Sequence, residues 1–161
     1  MNKVLSFDVS SVSTGYSFFA DGKLEECGVI KIDASRNKQE KLYLFGLNVR
    51  ALLKLYKPDV VVVEETYLKN VRTLKILTGF VTVVEVECYK IDIIPEFLST
   101  MKVRSHFGLK SKEEVFDYVK DKYKVKLRNY DFESGNDITD SILQALYWNE
   151  VLKEKQDAEK K

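Results

Sequence analysis

The chain has 161 residues, 45% of them hydrophobic, which suits one ordinary domain with one core. Its 26 basic and 25 acidic residues leave a net charge of +1, so overall charge neither names nor excludes a nucleic-acid partner. Two widely separated cysteines, Cys27 and Cys88, and a single histidine, His106, argue against a zinc site or a Cys/His nucleophile pair.

Residues 3–9 alternate, with Val4, Ser6 and Asp8 pointing one way and Leu5, Phe7 and Val9 the other, as in a strand. A second strand, 14–20, follows a serine-rich turn, and Asp21-Gly22 is a hairpin signal leading to a third, 24–32. Leu42, Phe45, Val49, Leu52, Leu53 and Tyr56 then fall at helical spacing over 38–56, and Pro58 stops that helix. The four-valine run of 60–65 lacks alternation and reads as a buried parallel strand. Over 71–88, Val71, Leu74, Leu77, Val81, Val84 and Cys88 fit a helix face, although TVVEVEC is strand-like in composition. The proline-free length favours helix.

A short strand, 89–94, is expected to end at Pro95. Ser111 with Glu114 predicts a capping box for a helix over 111–123, and Gly135-Asn136 opens a last helix, 136–153. The order β-β-β-α-β-α-β-α-α predicts an α/β domain, residues 1–152, with a mixed five-stranded sheet and helices on both faces. The charged tail, 153–161, is expected to be disordered. The N-terminus runs straight into a strand, and no stretch is long enough to span a membrane. With two unpaired thiols, the expectation is a protein of the cytoplasm.

Acidic residues mark the ends of several of these elements. Asp8 lies in the first strand, Glu64 and Glu65 close the valine run, and Asp137 and Asp140 open the last helix. A carboxylate at the end of an apolar strand is costly to desolvate unless compensated, and few lysines or arginines lie near these acids in sequence. A hard divalent cation such as Mg²⁺ would compensate them. Hydrolysis of a phosphodiester needs an activated water and a stabilised leaving oxygen, and two ions roughly 4 Å apart serve both ends. Asp8 is the natural bridge between them, and Asp137 and Asp140, at i and i+3, share one helix face.

Strand alternation lets only one of Glu64 and Glu65 join Asp8, and the residues alone do not choose between them. Acids also favour the first turn of a helix through its dipole, which gives Asp137 and Asp140 an ordinary explanation as well. Between Lys102 and Arg128, nine Lys or Arg face four Asp or Glu, a basic segment that fits DNA or a plain solvated surface.

FDVSSVSTGY, PDVVVVEETYLKN and NDITDSILQAL resemble the three acidic motifs of the RuvC Holliday-junction resolvases, in order and at similar spacing. The resemblance extends over nearly all of residues 3–150, including VRTLKILTG and the SKEEV helix start. It implies an RNase H-like fold and a homodimeric endonuclease that resolves four-way DNA junctions by paired nicks. It also implies two Mg²⁺ ions per site, with Mn²⁺ able to substitute. Carried over by position, it makes Asp8, Glu64, Asp137 and Asp140 the catalytic, metal-binding acids and leaves Glu65 outside the metal shell. Tyr67 matches an aromatic that wedges against junction bases, where stacking contributes roughly 1–3 kcal/mol per base. Lys69 and Arg72 would anchor flanking backbone, and Lys102 and Lys112 match phosphate-contacting residues. A one-residue gap lets Arg104 replace Lys102.

The family usually follows its first aspartate with Pro-Gly-Ser, where this chain has Val9-Ser10-Ser11, so the turn beside the site differs. Short divergent members of this kind resemble phage-encoded relatives, acting in a host cytoplasm and less tied to a branch-migration motor. Two rivals stand: a nuclease of the same fold acting on flaps or forks, and a non-catalytic DNA-binding relative. A sugar-kinase or actin-like ATPase is disfavoured, because only seven glycines are present and none forms a GxG cluster.

Overall fold

A computed structural model describes residues 2–65 and 70–161. The alternation of the first segment becomes strand β1 (Lys3–Asp8), paired antiparallel with β2 (Ser13–Ala20), which pairs in turn with β3 (Lys23–Lys31). The β2–β3 turn is closed by Asp21 and Gly22 at φ 50° and 78°, both positive as a tight type I′ hairpin requires. Helix α1 (Lys38–Tyr56) is capped by Asn37, whose side chain accepts from the Glu40 amide. It ends at Lys57, whose left-handed backbone precedes Pro58. The valine run is β4 (Val60–Glu64), parallel to β1 with Leu5 opposite Val61 and Phe7 opposite Val63. Helix α2 (Val71–Tyr89) follows; strand β5 (Glu96–Leu98) then pairs parallel with β4, completing the order β3-β2-β1-β4-β5.

The structure departs from the sequence expectations at several points. The strand expected at 89–94 lies elsewhere: α2 continues through Tyr89, Asp92 turns the chain at φ 59°, and the strand forms only after Pro95. A further helix, α3 (Thr100–His106), fills a segment that carried too few residues for a periodic signal, with Ser99 as its cap. Helix α4 (Lys112–Lys122) begins after Ser111, whose hydroxyl accepts from the Glu114 amide. The box is not reciprocal, because the Glu114 carboxylate accepts from the Lys110 amide instead.

The last long helix, α5 (Phe132–Tyr147), starts four residues earlier than expected. The reason is Asp131, which with Ser134 forms a reciprocal capping box upstream of the Gly135-Asn136 signal. After one π-helical turn, Trp148–Leu152, the tail expected to be disordered forms α6 (Lys153–Glu159). Gln156 ties that helix back by donating to Glu96 Oε1.

The sheet is buried on both faces. Val4, Phe19 and Val62 pack against Ile138, Ile142 and Leu146 of α5, while Leu5, Phe7, Val61 and Val63 pack with Phe45, Val49, Phe80 and Val84 of α1 and α2. The alternation in β1 therefore separates two apolar cores rather than core from solvent. Polar residues at the C-terminal ends of β1 and β4 gather on the α5 side. No helix among the described residues is long and apolar enough to cross a membrane.

Candidate active site

The Asp8 side follows from strand parity. Asp8 shares the face of Val4 and Ser6, whose hydroxyl donates to Gln144 Oε1 of α5. In the parallel β1–β4 register, Val62 occupies the same face, so Glu64 joins Asp8 there and Glu65 does not. Glu65 is exposed and its backbone amide donates to Leu98 O.

The second pair arrives on α5. Because that helix starts at Phe132, Asp137 and Asp140 lie in its second and third turns, and the N-terminal dipole no longer accounts for them. Their approach depends on Gly15, which pairs with Asp8 across β1–β2. A Cβ there would lie 2.1 Å from Asp137 O, so any side chain would force α5 off the sheet. Sequence reasoning did not single out Gly15, although its position in the STGY stretch was visible. The turn after Asp8, Val9-Ser10-Ser11, is held by side chains: the Ser10 amide donates to Thr14 Oγ1 at 3.0 Å and Ser10 Oγ donates to Ser13 O at 2.7 Å.

Few basic residues lie near these acids in sequence, but folding brings two. Lys112 Nζ stands 3.1 Å from Asp137 Oδ1, 3.1 Å from Asp140 Oδ2 and 3.8 Å from Asp8 Oδ2. Arg104 Nη2 stands 3.8 Å from Asp140 Oδ1. Lys102, the alternative to Arg104, is exposed on the outer side of α3 and makes no ion pair among the described residues. Arg72 is exposed in the first turn of α2, and Tyr67 and Lys69 lie outside the described residues.

The electrostatics are those of an incompletely compensated cluster. Burial pushes the Asp8 carboxyl well above its usual range; Glu64, by repulsion and a shared hydrogen bond, and Asp140 push it further, and Lys112 only partly opposes them. Asp140 rises to about 6, again chiefly through burial, against the pull of Lys112 and Arg104. Burial works to lower the Lys112 pKa, but Asp8, Asp140 and Asp137 outweigh it and hold the ammonium above its ordinary range. Asp8 Oδ2 is buried without a hydrogen-bond partner.

Among the described residues, no three acidic, histidine or cysteine side chains form a ready cage around one ion position. The Lys112 ammonium stands among the three aspartates instead. A cation therefore already sits against these oxygens, and an orphaned carboxylate oxygen beside it has capacity for another. The donor set, all carboxylate oxygen, fits a hard divalent ion.

One curated relative, the crossover junction endodeoxyribonuclease RuvC of Caldanaerobacter subterraneus subsp. tengcongensis, is 28% identical over 156 residues, covering 89% of this chain and 90% of its own. Among solved structures, Thermus thermophilus RuvC in complex with a Holliday junction substrate matches with a TM-score of 0.76 at 18% identity, over 92% of this chain and 96% of the other. The yeast mitochondrial Holliday junction resolvase Ydc2 matches with a TM-score of 0.67 at 16% identity, over 91% of this chain and 77% of the other. No family model matches the chain. These structures share its fold, and the mixed five-stranded sheet is the RNase H-like arrangement expected from the motifs.

Proposed function

We propose that this chain, RuvC-like in sequence and in fold, is a crossover junction endodeoxyribonuclease that resolves four-way DNA junctions by paired nicks. The observation that carries the reading is the convergence of Asp8, Glu64, Asp137 and Asp140 from β1, β4 and α5 into one cluster, buried at Asp8 and Asp140 and short of positive charge. These four acids would hold two Mg²⁺ ions, with Mn²⁺ as a substitute. Bound there, divalent ions supply an activated water at neutral pH and neutralise charge on the leaving oxygen.

The chain's own residues do the rest. Asp8, held on the central strand, keeps an oxygen free of hydrogen bonds beside Lys112, and α5 carries Asp137 and Asp140 as one rigid unit. Lys112 and Arg104 lie where they neutralise either a carboxylate or an incoming phosphate, and Lys112 can exchange one for the other as DNA arrives. Arg72 and Lys102, both exposed, would contact flanking phosphates, and Tyr67 and Lys69 retain the roles the motif resemblance implies.

Two symmetric nicks call for two copies related by a two-fold axis. The outward side of α2 exposes Ile76, Val86 and Tyr89. Beside them, Leu42, Tyr43, Leu47 and Val83 line a groove of about 290 Å³ between α1 and α2. A second copy of the chain is the occupant this reading assigns to that surface.

The test is cleavage of an immobile synthetic four-way junction against fork, flap and duplex controls, with and without Mg²⁺. Paired nicks in the junction alone, dependent on the metal, are expected. Preferential cutting of flaps or forks would move the substrate class, and cutting without any divalent ion would overturn the mechanism.

A further inference from the structure

Helix α3, for which the sequence gives no periodic signal, has its inner face built against the acidic site. Thr100, Val103 and Arg104 fall at i, i+3 and i+4, so they share that face. Val103, 2% exposed, anchors the helix in the α5 core. On either side of it, the Thr100 hydroxyl donates to Glu64 Oε1 and the Arg104 guanidinium faces Asp140 Oδ1. A narrow space of about 10 Å³, at most about one water, lies between α3, β4 and α5.

A threonine in the first turn of a helix commonly bonds to nearby backbone. Here Thr100 instead crosses to a strand 36 residues away in sequence. Resting on the metal-nuclease reading above, we infer that Thr100 is a positioning residue that holds Glu64 in its metal-binding orientation. One Glu64 oxygen is engaged by the hydroxyl, which restricts the carboxylate's rotation and leaves the other oxygen uncommitted by α3. A ligand held this way loses less rotamer freedom when it takes an ion, and it presents a single orientation to it. One turn on in the same helix, Arg104 places positive charge 3.8 Å from Asp140 Oδ1.

The experiment measures Mn²⁺ binding to the DNA-free protein by calorimetry, alongside melting curves, for wild type, Thr100→Val, Thr100→Ser and Glu64→Gln. Outer partners of metal ligands typically contribute 10–100-fold in affinity, so Thr100→Val is expected to weaken Mn²⁺ binding by roughly 10-fold or more while Thr100→Ser stays within about twofold of wild type. In cleavage assays, the half-saturating Mg²⁺ concentration should rise for Thr100→Val while the rate at saturating metal is largely kept.

Mn²⁺ affinity unchanged in folded Thr100→Val overturns the inference, as does Thr100→Ser binding as weakly as Thr100→Val. If Thr100→Val does not fold, Thr100→Ala is compared with Thr100→Ser on the same terms. Glu64→Gln separates the two levels of the argument. Loss of Mn²⁺ binding in Glu64→Gln but not in Thr100→Val removes the positioning role alone. Full binding by Glu64→Gln removes the metal site and the positioning role with it.

Discussion

Buried carboxylates occur on both faces of this sheet, and the two groups are balanced differently. On the α1/α2 face, Glu87 is 6% exposed and accepts a two-pronged pair from Arg50 at 2.9 and 3.0 Å, with Lys90 Nζ at 2.7 Å. The Arg50 hydrogen bond, outweighing burial and aided by Lys90, lowers its pKa from 4.5 to about 2. On the α5 face, Asp8 and Asp140 are equally buried at 8% each, yet both are raised, because two cations are spread over four acids and burial prevails. Surface exposure alone therefore does not distinguish a brace from the candidate site. Asp8 and Asp140 lie deeper in the protein than Glu87, and the positive charge near them is shared among more carboxylates.

Breaking the under-compensated side should give the largest effect. Asp8→Asn removes a proposed ligand, and cleavage should fall by more than the roughly 10–100-fold that outer partners of metal ligands cost. Junction binding should persist or tighten, since one charge that repels phosphate is gone. The melting temperature in the absence of metal should hold or rise, because a carboxyl whose ionisation burial opposes has been replaced. Single-turnover junction cleavage and a thermal melt check both; a rate within tenfold of wild type would sink the proposed site.

Gly15→Ala tests the backbone approach that assembles that side. The added Cβ has no room against Asp137 O, so α5 must shift away from β2. The expected outcome is a loss of about 1–3 kcal/mol in urea unfolding, in the range of overpacked cores, together with weakened metal binding. Unchanged stability and unchanged metal affinity would mean the helix is not seated on Gly15 in solution.

The smallest effect should come from the compensated side. Glu87→Gln should leave Mn²⁺ binding by the folded protein unchanged and cost roughly 1–2 kcal/mol, allowing for solvent screening at the 44% exposed Arg50 side chain. The pH signature sharpens the contrast. Glu87 is depressed in the folded state, so its contribution is present above the unfolded value of 4.5 and is lost as pH falls toward about 2. The stability difference between wild type and Glu87→Gln should therefore narrow between about pH 4.5 and pH 2. A difference that stays constant over that window would remove the ion pair as its cause.

The amino-acid order by itself carried the first four strands, the helix between the third and fourth, and the acids at their ends. Alternation in 3–9, the four-valine run and Asp21-Gly22 are local signals, read from neighbours two to four residues apart, and each matches an element found in the structure. The start of α5 was misplaced because Asp131 and Ser134 cap it from a stretch with no apolar periodicity, and α3, with seven residues, is too short to show a period.

Only the tertiary structure decided which residues meet. Side chains alternate with a period of two, so a one-residue slip between β1 and β4 would have put Glu65 beside Asp8. What sets the parity is the partition of Val62 to the α5 core and Val61 and Val63 to the α1/α2 core, a choice made by packing across the sheet rather than along the strand. Lys112 and Arg104 reach the aspartates from α4 and α3, Thr100 reaches Glu64, and Gly15 admits α5. Those contacts join residues 25 to more than 100 positions apart, and their geometry exists only once both faces of the sheet are covered.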